Sequence, residues 1–95
     1  MQTLSVTVLK DDTPFIKGDF DVRDDDFTLV KGLLGEVAMT SGQAASLLAG
    51  YMHAREVGNV TEEMGKLAML AAVFILSKGQ TEIIIPLEQS AGHAL

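Results

Sequence analysis

The chain has no cysteine and no tryptophan, one tyrosine and two prolines among 95 residues. Without thiols there is no disulfide framework, no thiolate zinc site and no cysteine nucleophile. Basic residues are scarce: seven Lys and Arg stand against thirteen Asp and Glu, for a formal net charge of -6. Binding to a nucleic-acid backbone requires Lys and Arg to displace condensed counterions, so this balance argues against nucleic acid as a partner. The acids gather at Asp11-Asp12 and between Asp19 and Asp26, whereas a DNA-mimicking surface would carry them along most of its length. They read as hydrated turns and helix starts.

A long hydrophobic run is missing too. Leu67 to Leu76 is apolar throughout, but as a helix it rises only about 15 Å, roughly half a bilayer's hydrocarbon thickness. Glu63, Lys66 and Lys78 flank it, so it reads as a buried helix and no membrane partner is expected. The start, MQTLSVTVLK, lacks a cationic stretch followed by an apolar block, which makes the cytoplasm the expected location.

What is present is aliphatic. The chain is 47% hydrophobic with mean hydropathy +0.27, and its length suits a single domain over residues 1–95. A domain this small has a high surface-to-volume ratio and a limited core. A helix that is apolar on all sides must be covered on all sides. A sheet and two modest helices leave part of it open, and a second copy of the chain is the expected cover. The homodimer interface is then expected on one stripe of that helix, at Met69, Ala72, Val73 and Leu76, while Leu67, Leu70, Phe74 and Ser77 pack on the sheet. Sequence does not distinguish these two stripes.

Period-two alternation marks a strand over Thr3–Leu9, with Leu4, Val6 and Val8 on one face. A turn at KDDTP leads into a second strand, Phe15–Val22, whose inward residues are Ile16, Phe20 and Val22. Gly18 shares that face, as a bulge or a close contact. Asp24–Asp26 can cap a helix carrying Phe27, Val30, Leu34 and Val37, although 27–31 alone suits a strand equally well. TSGQ is a capping box, Thr40 with Gln43, for a helix striped by Ala44, Leu47, Leu48, Tyr51, Met52 and Ala54 and stopped by Gly58. Gly42, Ser46 and Gly50, beside Ala45 and Ala49, let another backbone approach. Asn59 or Thr61 opens the third helix, and Gly79 closes it. QTEIIIPL is a third strand, at an edge because Pro86 cannot donate to a ladder. Residues 88–95 are expected to fray. The fold class is α+β: two layers, in the order β-β-α-α-α-β. The expected sheet is small and antiparallel, an N-terminal hairpin plus a C-terminal strand, packed on three helices.

The chemical motifs fall short of a site. VTEEMGKLA has a Gly-Lys pair, but the upstream glycine is too distant and Leu67 stands where Ser or Thr should hold magnesium. DFDVRDDD lacks the glycine and glutamate that a calcium loop requires. His53 and Glu56 could reach one metal from one helix face, without a third ligand. TSGQAASLLAG resembles the first helix of a helix-turn-helix, but the next helix brings Glu62, Glu63 and aliphatic surface to a groove that needs donors and cations. No nucleophile elbow occurs, and His93 has no assigned role. The expectation is therefore no catalytic residue, no metal and no cofactor. The expected function is that of a non-catalytic protein-interaction module of inhibitor, adaptor or assembly-chaperone type, such as phages and mobile elements encode, acting as a homodimer on an unidentified protein. The alternative is a small-ligand or enzymatic domain with a pocket between sheet and helices, using Tyr51, His53, Arg55 and Glu56.

Overall fold

A computed structural model describes residues 1–35 and 38–86, with Leu34 described for its backbone alone. Val37, His93 and the tail over 88–95 lie outside the described residues. The elements are β1 (Gln2–Lys10), β2 (Thr13–Val22), α1 (Asp24–Leu34), α2 (Ser41–Glu56), α3 (Glu62–Ser77) and β3 (Glu82–Pro86). The order β-β-α-α-α-β follows from the sequence pattern, and the α+β architecture is seen.

β1 and β2 form an antiparallel hairpin joined by Asp11 and Asp12, both left-handed at φ 54° and 63°. Two successive positive φ values match the twist of the flanking strands, and Asp tolerates that conformation better than most residues. Ile16 faces Val8 but Pro14 faces Leu9, so Phe15 is the extra residue of a bulge. Gly18 is regular; it admits the Met52 side chain, whose Cε would stand 2.7 Å from an added Cβ.

The sheet order is β2-β1-β3. β3 runs parallel to β1, pairing Ser5 with Glu82 and Leu9 with Pro86. The sheet is therefore mixed, not the antiparallel one that the alternation suggested. Alternation specifies which face is buried but not which way a strand runs, and the three intervening helices supply the long crossover that a parallel pair requires. As central strand, β1 carries Leu4, Val6 and Val8 fully inward.

Residues 27–31 are helical. Asp24, Asp25 and Asp26 occupy the first turn of α1, but none supplies a side-chain cap. Asp24 instead accepts from the N-terminal amine at 2.7 Å, and Asp26 pairs with Arg23 at 3.2 Å. α2 has the full capping box: Gln43 N–H donates to Thr40 Oγ1 at 3.1 Å and Thr40 N–H to Gln43 Oε1 at 2.9 Å. Thr61 caps α3 by accepting from Met64 N–H at 3.2 Å. Gly58 and Gly79, at φ 70° and 84°, turn the chain left-handed after α2 and α3.

α3 packs on α2, on α1 and on the inner face of the sheet. Ala68, Ala71, Ala72 and Val73 are fully buried by the chain itself, and Ile75 and Leu76 nearly so. Replacing Thr40 by Ala removes one half of a reciprocal cap and should cost on the order of 1 kcal/mol. Chemical denaturation should show a lower midpoint at unchanged slope.

Candidate functional site

The four polar groups nominated for a pocket divide between two faces of α2. Tyr51 and Arg55 are four residues apart and share a face; His53 lies about 200° round the helix from Tyr51. The Tyr51 ring meets Phe20 edge-on, with centroids 5.3 Å apart and planes at 68°. The Arg55 guanidinium lies 5.7 Å over the Tyr51 ring and donates to the Asp19 carbonyl at 3.4 Å. These contacts tie α2 to β2. Glu56, the last residue of α2, is exposed and makes no ion pair among the described residues.

His53 turns the other way, to a partly open cavity of about 400 Å³ between α2 and the sheet. Val8, Ile16, Ala49 and Ile85 form its apolar wall, and Ser46 lines it two helical turns from His53. Its polar complement is thus a single imidazole and a hydroxyl, and the structure does not bring Tyr51, Arg55 or Glu56 to it.

Two acids of β2 are engaged locally. Thr3 Oγ1 donates to Asp21 at 2.8 Å and Ser5 Oγ to Asp19 at 3.1 Å, across the outer face of the sheet. No group of three or more His, Cys, Asp or Glu that could hold a metal ion occurs among the described residues. The Gly65-Lys66 pair lies inside α3, where Lys66 meets Glu62 at 3.5 Å, and not in a loop that could wrap a phosphate. No helix among the described residues is long and apolar enough to cross a membrane.

The stripe expected at a homodimer interface is placed mostly inside the protomer. Ala72 and Val73 have no exposed surface and Leu76 is 6% exposed, so they have almost none to offer a partner; Met69 alone is half-buried. The opposite stripe is the more open one, with Leu67 exposed and Leu70 and Phe74 half-buried. The reason is size. Alanines at 68, 71 and 72 let α3 settle against its neighbours, so the chain itself covers the side of the helix that carries Ala72, Val73 and Leu76.

Sequence reasoning also missed Leu29 and Leu33. They are 66% and 47% exposed on α1, four residues apart, and Val30, half-buried against the core, borders the same groove. A second apolar pair at helical spacing was the available signal. With Met69 and Leu70 of α3 they line an open groove of about 640 Å³ between the two helices, with Asp26, Glu62 and Lys66 at its rim. The chain matches no protein-family model, no curated protein and no solved structure significantly.

Because their partners are neighbouring hydroxyls, Asp19→Asn with Asp21→Asn should leave the fold intact, as Asn keeps an acceptor. The wild-type melting temperature should not respond to calcium. A calcium-dependent rise of several degrees in the wild type, absent from the variant, would mean a metal site on this strand.

Proposed function

We propose that the protein is a non-catalytic interaction module, of inhibitor, adaptor or assembly-chaperone type, acting as a homodimer. One observation carries the interaction part of this reading: the α1–α3 groove, where aliphatic side chains remain open to water on two packed helices. Exposed apolar surface edged by charge is typical of protein-binding sites. The partner this groove fits is an amphipathic helix. Its apolar ridge would sit on Leu29, Leu33, Met69 and Leu70, and basic side chains along its flanks would compete with Arg23 for Asp26 and with Lys66 for Glu62. The chain's formal charge of -6 favours such a basic partner at a distance as well.

A ligand-binding reading has one observation behind it, the cavity at His53. A pocket of this size suits a small molecule, but specificity there would rest on His53 and Ser46 alone.

The two readings separate in one experiment. Proteins captured from the native host by the wild type, and quantified by mass spectrometry, should be lost with Leu29→Glu plus Leu33→Glu. They should be retained with His53→Ala. Both leucines are exposed, so the double variant should stay folded, as circular dichroism would verify. Equal capture by wild type and the leucine variant would overturn the interaction reading at this groove.

A further inference from the structure

β3 is an edge strand. It pairs with β1 on one side, and among the described residues no strand pairs with the other. In a parallel ladder, alternate residues direct their backbone groups to opposite sides. Ser5 N–H donates to the Thr81 carbonyl at 2.9 Å, and Ser5 stands opposite Glu82. Ile83 and Ile85 therefore bond to β1, whereas the N–H and C=O groups of Glu82 and Ile84 point away from the sheet. Pro86 shares that outward position, so its missing donor takes nothing from the β1 ladder.

Natural edges are guarded by charge, proline and bulges against pairing with other chains. β2 is guarded in this way: it carries Pro14, Lys17, Asp19 and Asp21 and bulges at Phe15. β3 has three consecutive isoleucines, and its guards are confined to its ends, Glu82 at one and Pro86 at the other, where the missing N–H leaves the Glu82 carbonyl of a paired copy to water. Its central Ile84 is 60% exposed on the outer face.

We propose that this edge forms the homodimer. β3 pairs antiparallel with β3 of a second copy about a two-fold axis at Ile84, giving one continuous six-stranded sheet. The inference rests on the homodimer reading above and specifies its interface. What points to a second copy is that the strand is complementary to itself. Centred on Ile84, each Ile84 N–H donates to the other chain's Ile84 carbonyl, and each Glu82 N–H to the other's Pro86 carbonyl. The exposed Ile84 side chains meet on the outer face. On the helix face Ile83 stands opposite Ile85 and extends the core. Glu82 lies opposite Pro86, so the two carboxylates do not face one another. Space exists on the helix side: a groove of about 370 Å³ follows β3 under α2, where only Ser41 and Ala45 of that helix reach it. The α1–α3 groove takes no part and stays free in each protomer.

Light scattering and a designed crosslink test this. The wild type should have twice the 10.1 kDa chain mass, and Ile84→Lys should have the chain mass while keeping its circular dichroism, since that side chain is largely in solvent. Leu29→Glu plus Leu33→Glu should remain dimeric. The chain has no cysteine, so Ile84→Cys can form a disulfide only with its own copy. A hydrogen-bonded antiparallel pair has Cα atoms about 5.5 Å apart, within disulfide reach. Mild oxidation should convert most of that variant to covalent dimer. A dimer that survives Ile84→Lys, or fails to crosslink through Ile84→Cys, overturns the edge pairing and leaves the homodimer reading standing. A wild-type monomer at all concentrations overturns both.

Discussion

Close packing of α3 through alanine is the contact on which the rest of the structure depends. Ala68, Ala71 and Ala72 are without exposed surface, and such short side chains let neighbouring elements come near the helix axis. Dispersion contacts are individually small and need that proximity. Larger residues here would push α3 away from α2 and the sheet, and Val73, Ile75 and Leu76 would lose their cover. The same contact sets the position of α1, which packs on α3 and shares the open groove with it.

The alanine side of α3 is buried by its own chain, and the apolar area left in water includes Leu67 of α3, Leu29 and Leu33 of α1, and Ile84 on the edge of β3. Asp19 and Asp21 accept hydroxyl donors on the outer sheet face, and Asp24 and Asp26 hold the start of α1 through the N-terminal amine and Arg23. Four of the carboxylates thus have local partners, and the proposed function draws on the apolar surplus together with the net negative charge.

Much of the fold was legible because its signals are local. The Thr40–Gln43 box, the Thr61 cap and the glycine stops at 58 and 79 act within a few residues, and each is found in place. The alternation of Leu4, Val6 and Val8 gave the buried face of β1. Strand direction was not legible, because parallel and antiparallel neighbours bury the same alternate residues. Nor was the inner stripe of α3: a helix apolar on all sides has no periodic contrast to reveal which side meets the core. Tyr51, His53, Arg55 and Glu56 were grouped by closeness in sequence, whereas helical geometry sends His53 to a different face from Tyr51 and Arg55. Leu29 and Leu33 were passed over because Phe27 and Val30 already supplied α1 with an inward face.

Native-state hydrogen exchange tests the central claim most directly, namely that α3 is covered by its own chain and anchors the fold. Amides from Ala68 to Leu76 should exchange only through global unfolding, with the same opening free energy as those of Leu4, Val6 and Val8 in the central strand. Exchange of the α3 amides by local opening, at a free energy clearly below that of β1, would contradict the account.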